Sequence, residues 1–328
     1  MRRGRLVFGV ALLIVALIVG YLWWSLYGDR RLPSAATTVD IAPGASIDDI
    51  VTQLQSSGVV SSSTLLLLYL RAEHLTSSIQ AAEYTFPANE NIPDIAATLK
   101  MGGHPSAVWV TVPEGFTAAQ IAARLEHLGL VEAPYFLLAV HEGSVSIDGA
   151  RTRGLEGYLF PDTYLVPRHA TGATIAGLMV KQFVRELPPH HASLSHRLGF
   201  TVPQIVTIAS MVEREAKVDD ERALIAAVIY NRLHRGMPLE IDATIEYALP
   251  RHKTQLSYGD LALDSPYNTY RHVGLPPTPI ANPGRKSLLA AFRPATVDYL
   301  YYVYRGNGRH EFSRTLEEQQ AAERKYLH

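Results

Sequence analysis

The residue whose type and position most suggest chemistry is Glu213, a carboxylate at the edge of an apolar helix pattern. Thr201, Pro203 and Gln204 are residue types that begin a helix. Apolar residues follow at helical spacing, and they are Ile205, Ile208, Ala209 and Val212. Because apolar surroundings disfavour a charged carboxylate, a partly buried glutamate can carry the proton that general acid catalysis needs near neutral pH. The structural alternative is an ordinary ion pair with Lys217, one helical turn further on.

Two segments downstream of this glutamate carry side chains that suit a sugar. Residues 236–248 have the short-period polarity of a strand edge or loop, and residues 264–277 form a long irregular stretch of polar and aromatic residues. Tyrosine faces provide flat apolar surface, while asparagine and threonine provide directional hydrogen bonds, and sugar rings with N-acetyl groups need both. The alternative is that these residues only brace a loop.

Other residue types exclude several classes of function. The chain has no cysteine, so it has no disulfide, thiolate nucleophile or cysteine-ligated zinc. His190, His191 and His196 have poor spacing for zinc and no local acidic partner, so we expect no metal site. The sequence has no P-loop, dinucleotide-binding or GxSxG motif, and we expect no cofactor. The chain has 30 basic and 31 acidic side chains. It therefore lacks the excess of positive charge that binding to nucleic acid needs, and we expect no nucleic acid as a partner.

Strand-and-helix units that could position these residues recur three times in the first half of the chain. Each begins with an extended stretch, at Val39, Tyr84 or Val110. Each continues into a helix whose predicted N-cap residue is Ser46, Asn91 or Thr117. Each ends at a glycine where a left-handed helix cap is favoured, and these are Gly58, Gly103 and Gly129. The first two units, with a helix near Leu65–Arg71, predict a small βα module over residues 38–107.

The third unit opens a larger domain, which we place at residues 108–328. A helix is predicted over Thr174–Arg185. A further helix follows the one that carries Glu213 and ends at Gly236, so the two form a helical hairpin. A β-hairpin is predicted over residues 299–313, with tyrosines that pack its strands. The sequence therefore predicts the fold class α+β.

The N-terminus carries a pattern typical of a membrane anchor. Leu6–Tyr27 is uncharged over 22 residues, which is about 33 Å as a helix and enough to cross a bilayer. Three arginines and the amino terminus precede this run, whereas only Arg30 and Arg31 follow it, and this excess of positive charge favours a cytoplasmic N-terminus. We therefore predict a cytoplasmic tip and transmembrane helix over residues 1–30, a linker over residues 31–37, and the rest of the chain on the outer face of the cytoplasmic membrane. A cleaved signal peptide is the alternative, although no small-residue cleavage site follows the run directly.

Several motifs occur in a fixed order along the chain. They are Leu155-Glu156-Gly157 with Pro161–Tyr164, Ala209–Glu215, Asn231–Leu233, Gly236–Tyr247, Ser265–Tyr270, Gly274–Pro277 and Asn282–Gly284. Together they resemble the endolytic murein transglycosylases, the YceG-like family, over nearly the whole chain, including a membrane anchor and a LysM-like module. The departures are Glu240 for a usual glutamine, Ala243 for proline, Thr278 for glycine, and Gln319-Gln320 for His-Asn.

The resemblance implies a lytic transglycosylase, which cleaves the β-1,4 bond after N-acetylmuramic acid within glycan strands and forms 1,6-anhydro ends without water. Glu213, which is matched to the family's catalytic acid, would protonate the leaving oxygen and then take the proton of the muramyl C6 hydroxyl. The predicted substrate-binding residues are Glu156, Ser210, Asp242, Thr244, Tyr267, Asn268, Thr269 and Tyr270. The implied partners are peptidoglycan strands, the cytoplasmic membrane, and peptidoglycan synthases or division and elongation proteins.

The residues leave two other functions open. A glycoside hydrolase would need a second carboxylate about 5 to 9 Å from the first, and Asp162, Asp242 and Glu246 are available. A membrane-anchored scaffold would instead bind peptidoglycan through its LysM-like module and would not need Glu213 for activity.

Overall fold

The structure is a computed structural model that describes residues 13–17, 19–21, 23–24, 26–27, 36–88, 90–103, 107–249, 253 and 256–326. Within these ranges, no helix is long and apolar enough to span a membrane. The predicted anchor and linker lie largely outside the described residues, so both stay predictions. The chain divides into two compact units, Met1–Val108 and Trp109–His328.

The first unit is a small α+β module built on a two-stranded sheet. Strands β1 (Thr37–Ile41) and β2 (Ala82–Phe86) pair antiparallel, with Thr37 opposite Phe86. Between residues 36 and 103 the helices of this unit are α1 (Ile47–Ser56), α2 (Ser63–Ala72) and α3 (Ile92–Met101). Alternate strand residues and one face of each helix form a single core, which includes Val39, Ile41, Leu54, Leu66, Leu70, Tyr84, Phe86, Ile95 and Leu99. The apolar residues at every second strand position and those at helical spacing thus pack into the same core.

Two of the three glycines predicted to end the repeated units have the expected backbone conformation. Gly58 and Gly129 have φ of +75° and +66°, values that glycine adopts without strain. The prediction for Gly103 is wrong, because the positive φ of +86° belongs to Gly102 instead. Gly103 is needed for another reason: a Cβ there would lie 2.4 Å from the carbonyl oxygen of Glu83.

The described part of the second unit contains most of the helices and three small sheets. Its helices are α4 (Ala118–His127), α5 (Ala133–Glu142), α6 (Gly172–Glu186), α7 (His191–Leu198), α8 (Val202–Glu215), α9 (Arg222–His234), α10 (Asp242–Ala248), α11 (Tyr258–Leu261), α12 (Arg285–Phe292) and α13 (Leu316–Tyr326). Its strands are β3 (Ala107–Thr111), which begins at the unit boundary, β4 (Ser146–Ile147), β5 (Ala150–Arg151), β6 (Thr163–Pro167), β7 (Tyr301–Tyr304) and β8 (His310–Ser313). Strand β3 pairs with β6, β4 with β5, and β7 with β8.

Helix α8 lies at the centre of the second unit and packs against α9 and α12. Residues 205–212 of α8 are all buried, so this helix is surrounded by protein on every side. Tyr158, Phe183, Ile229 and Phe292 contribute to the same core. A helix so enclosed holds the residues at its end in a fixed direction.

The structure differs from the sequence prediction at residues 242–248, which form helix α10 rather than a strand edge or loop. Ala243, Thr244 and Ile245 are buried in succession, a pattern that a short helix against the core produces and an alternating strand does not. The hydroxyl of Thr269 accepts a hydrogen bond from the N–H of Ile241 at 3.0 Å just before the helix begins. A tertiary contact therefore determines where α10 starts.

Candidate active site

Helix α8 carries two glutamates at its C-terminal end. The helix begins with a capping box, in which the side chain of Gln204 accepts from the N–H of Thr201 at 2.8 Å and the Thr201 hydroxyl accepts from the N–H of Gln204 at 3.4 Å. Beyond the buried residues 205–212, Glu213 and Glu215 follow where the helix leaves the core. Because residues two apart on a helix project about 200° from each other, the two carboxylates enter different surroundings.

Glu213, the predicted catalytic acid, lies in a buried ion pair. Arg222 Nη1 donates to its Oε1 at 3.2 Å, and the N–H of Gly284 donates to its Oε2 at 2.9 Å. The side chain is only 7% exposed. Both donors hold this carboxylate in a fixed position at the end of α8, and its catalytic role stays a prediction. The partner is Arg222 and not Lys217, which was the expected partner in the structural alternative.

Arg222 connects this ion pair to two further elements. Its Nε donates to Asp219 at 3.1 Å, and its Nη1 donates to the hydroxyl of Ser287 at 2.5 Å. Lys286 also forms an ion pair with Asp219. With 11% of its side chain exposed, Arg222 is the shared cation that holds the ends of α8 and α9 against α12.

Glu215, the last residue of α8, has the properties expected of a general acid. Burial raises the pKa of its carboxyl to about 7, and the negative charges of Asp242 and Glu246 act in the same direction. The Tyr302 hydroxyl, which donates to Oε2 at 3.1 Å, and the charge of Lys217 oppose this shift. The partial negative charge at the C-terminal end of a helix further disfavours ionisation. Glu215 can therefore hold a proton near neutral pH and release it.

Glu215, Asp242 and Glu246 form an acidic cluster. The hydroxyl of Tyr270 donates to Asp242 Oδ1 at 2.5 Å, and Glu246 pairs with Arg214 at 2.9 Å. Asp242 and Tyr270 are two of the predicted substrate-binding residues, and the structure brings them together beside Glu215. Neighbouring carboxylates repel each other when both are charged, so the cluster favours a proton on one of its members.

Two residues that the structure brings together here, Glu215 and Tyr302, are not among the site residues predicted from the sequence. Glu215 belongs to the same motif as Glu213. Its position as the last residue of the helix, where the backbone dipole disfavours a negative charge, is the sequence feature that could have indicated it. Tyr302 is expected to pack strands, and its ring does lie edge-on to His310 at 5.4 Å between centroids. Its hydroxyl reaches Glu215 only because the C-terminal hairpin folds back onto α8.

Four of the other predicted substrate-binding residues are buried and already hydrogen-bonded. The Ser210 hydroxyl donates to the carbonyl of Thr207 and accepts from the N–H of Ile280. The hydroxyls of Thr244 and Thr269 share a hydrogen bond of 3.0 Å. The Asn268 amide donates to the carbonyls of Leu261, at the end of α11, and Leu263. These contacts are the ones that the structural alternative predicts, in which the side chains brace the surrounding loops, and the substrate-binding role of the four residues stays a prediction.

Glu156 is a buried carboxylate that fixes the start of helix α4. Both of its oxygens accept from the N–H of Ala118 at 3.0 Å, and it also accepts from Asn282 at 2.9 Å and from the Tyr247 hydroxyl at 3.3 Å. Burial raises the pKa of Glu156 to about 7, and these hydrogen bonds oppose the shift. Tyr267, also a predicted binding residue, shares a 2.6 Å hydrogen bond between its hydroxyl and that of Thr278.

Among the described residues, no group of three histidine, aspartate or glutamate side chains is arranged to hold a metal ion. His191 does have an acidic neighbour, contrary to the sequence expectation, since its Nε2 lies 3.2 Å from Asp148. Asp162, one of the three candidate second carboxylates, accepts from Gln182 at 3.0 Å and from the N–H of Thr163. It makes no described contact with Glu215.

The sequence model of the YceG-like family matches residues 39–325, which is most of the chain. The chain belongs to the YceG-like family. A solved structure of a putative YceG-like protein from Listeria monocytogenes is similar, with 31% sequence identity and a TM-score of 0.59. The match covers 88% of this chain and 99% of that one.

Two curated relatives carry the name endolytic murein transglycosylase. The protein from Bacillus subtilis is 33% identical, over 92% of this chain and 89% of its own length. The protein from Streptococcus pneumoniae strain D39 is 30% identical over 91% of this chain, which spans only 62% of that longer relative. Together with the family, these relatives support lytic transglycosylase activity for this YceG-like chain.

Proposed function

We propose that the protein is an endolytic peptidoglycan lytic transglycosylase that cleaves the MurNAc-β-1,4-GlcNAc bond inside nascent glycan strands and leaves 1,6-anhydro-MurNAc ends. The names of the curated relatives support the reaction class. The observation that carries the proposal is Glu215, a partly buried carboxyl whose pKa is raised to about 7 beside two further carboxylates. Such a group can act first as an acid and then as a base within one turnover.

In the first proposed step, Glu215 donates its proton to the glycosidic oxygen while the bond to muramyl C1 breaks. Positive charge develops on the sugar ring, and the nearby carboxylate of Asp242 can stabilise it. In the second step the C6 oxygen bonds to C1, and Glu215, now ionised, takes the C6 hydroxyl proton. The carboxyl returns to its starting state, and no water is consumed.

This proposal moves the catalytic acid from Glu213 to Glu215. Both oxygens of Glu213 already accept hydrogen bonds, from Arg222 and from the N–H of Gly284, so this side chain is engaged in joining α8 to α9 and to the start of α12. Glu213 then has a positioning role, because its ion pair holds the end of α8 from which Glu215 projects.

The experiment compares Glu215→Gln with Glu213→Gln in the full chain, with purified sacculi as substrate and mass spectrometry of the released muropeptides. Loss of a general acid removes about a hundredfold or more in rate, and we expect that loss for Glu215→Gln while the variant stays folded. Glu213→Gln is expected to be less stable but to keep anhydro-product formation. A folded, inactive Glu213→Gln protein beside an active Glu215→Gln protein would return the acid role to Glu213.

Glycoside hydrolysis is the second candidate function, because the structure places Asp242 close enough to Glu215 to influence its pKa. A hydrolase uses a second carboxylate to activate water or to attack the sugar. Reducing ends in place of anhydro ends among the products would establish hydrolysis and reject the transglycosylase. A Glu215→Gln protein that still supports cell-wall growth as well as the wild type would favour the scaffold.

We also propose that the chain is a single-pass protein of the cytoplasmic membrane, with its catalytic unit on the outer face. The uncharged run Leu6–Tyr27 and the arginines before it support this topology. Synthases and division or elongation proteins are the proposed partners. Protease added to intact spheroplasts should digest the second unit, whereas protection of that unit would overturn the topology.

A further inference from the structure

A cavity of about 850 Å³ lies in the second unit, and its size is typical of a ligand pocket. One side of it is aliphatic, with walls formed by Leu137, Val140, Leu155, Leu249 and Ile280. Many of its polar side chains are already engaged with each other, in the pairs Tyr247 with Glu156, Tyr267 with Thr278, and Arg214 with Glu246. The cavity therefore offers mainly apolar surface and few free directional groups.

Two basic side chains at this cavity are exceptions. Of the cavity residues that the structure describes, Arg153 and His141 have exposed side chains with no hydrogen-bond or ion-pair partner. A guanidinium beside an apolar wall attracts a carboxylate more strongly than one in open water, because the less polar surroundings screen the charges less. The cavity thus favours a ligand that combines carboxylates with small apolar groups.

The cavity also shares a wall with the acidic cluster. Arg214 directly precedes Glu215, Ala243 directly follows Asp242, and both line the cavity together with Glu246. The cavity therefore lies next to the acidic cluster, between residues of α8 and α10.

We infer that this cavity, the stem pocket, binds the acidic peptide stem of the muramyl residue at the scissile bond. The inference rests on the proposed function, since it needs a glycan strand at Glu215. Peptidoglycan stem peptides are attached to the lactyl group of muramic acid. Their alanine methyl groups would pack against the aliphatic wall, and their free carboxylates would pair with Arg153. A bare sugar would need several free hydrogen-bonding side chains, and most of those in the stem pocket are engaged.

The experiment measures kcat/KM of the full chain on two substrates, glycan strands with their stems and the same strands after an amidase has removed the stems. We expect the wild type to prefer strands with stems. Arg153→Glu should lower the ratio of the two rates by roughly tenfold, the factor that corresponds to the loss of about one charge-assisted contact. Leu137→Glu, at a cavity position whose side chain is 36% exposed, should lower the ratio by placing a negative charge on the apolar wall.

Arg151→Glu is the matched control, because Arg151 is an exposed arginine outside the stem pocket that donates to Ser144. It should leave the wild-type ratio unchanged, and thermal unfolding verifies that each variant is folded. Equal wild-type rates on both substrates, or an Arg151→Glu effect equal to that of Arg153→Glu, would overturn the inference while leaving the lytic activity intact. A wild type that cleaves neither substrate would instead reject the proposed function.

Discussion

At the scale of single residues, Glu213 and Glu215 have the same side chain but different partners. Glu213 accepts hydrogen bonds from Arg222 and from the N–H of Gly284, and its charge helps to raise the pKa of Glu114. Glu215 projects towards Asp242 and Glu246 at the negative end of the helix, which disfavour its charge. One helix can thus present one carboxylate for structure and another for chemistry.

Replacing Tyr302 by phenylalanine should move the pH dependence of activity. The Tyr302 hydroxyl donates to Glu215 and stabilises its ionised form, so its loss should raise the pKa of Glu215 above about 7. Activity that depends on a protonated acid is lost as pH rises through that pKa, so the alkaline limb should shift to higher pH. The pH profile of kcat/KM measures this shift.

Tyr304→Phe is the control, because the Tyr304 hydroxyl contacts the N–H of Gly308 within the hairpin turn and not the acidic cluster. Its profile should match that of the wild type. A Tyr302→Phe profile with an unmoved alkaline limb would show that the titrating group is not Glu215.

The ion pair between Glu213 and Arg222 predicts a coupled effect on stability. Arg222→Met leaves a buried carboxylate without its cation and should destabilise the protein by roughly 3 kcal/mol. Adding Glu213→Gln should recover part of that loss, with a coupling of about 1 kcal/mol or more. Denaturant unfolding of the wild type, both single variants and the double variant measures the coupling, and simple additivity would contradict it.

At the scale of elements, the segment after the 264–277 loop packs tightly against residues 154–160. The Asn282 side-chain oxygen accepts from the N–H groups of Gly157 and Leu159 at 2.9 and 2.8 Å. Gly157 has φ of +88°, and a Cβ there would lie 2.4 Å from the Pro279 ring. The close approach of these two segments therefore requires glycine.

Gly157→Ala should destabilise the protein by roughly 2 to 4 kcal/mol, because it combines a strained backbone with a clash against a rigid proline ring. Gly177→Ala is the matched control, since Gly177 lies exposed within helix α6 with open space around it. That change should stabilise the protein by about 0.5 to 1 kcal/mol. Thermal or denaturant unfolding distinguishes the two, and a tolerated Gly157→Ala would contradict the packing argument.

At the scale of the whole molecule, each compact unit has a core of its own. Leu54 belongs to the core of the first unit and Leu288 to that of the second, and both are fully buried. Stability can therefore be lowered in one unit by removing atoms from that unit's core alone.

Leu54→Ala should cost about 2 to 5 kcal/mol, and the effect should concentrate in the first unit. Hydrogen exchange should accelerate over helices α1 to α3 and much less over α8 and α9. Leu288→Ala should give the reverse pattern. Equal acceleration in both units from either change would show that their cores do not unfold separately.

Local patterns predict much of the secondary structure. The capped helix starts at Ser46, Asn91, Thr117 and Thr201 all occur as expected, because a cap depends on residues within one helical turn. Helix α10 is not predicted, because its burial depends on a loop that follows it by some twenty residues. The same limit applies to Ser210 and Asn268, whose hydrogen-bond partners become visible only in the folded chain.

The sequence by itself determined the family, the α+β class and the short motif that contains the candidate acid. It could not separate Glu213 from Glu215, because both are glutamates two positions apart with similar local neighbours. Only the tertiary structure brought Arg222 and Gly284 to one carboxylate, and Tyr302 and Asp242 to the other. The physical reason is that the charge state of a carboxyl depends on burial and on nearby charges, which distant parts of the chain supply.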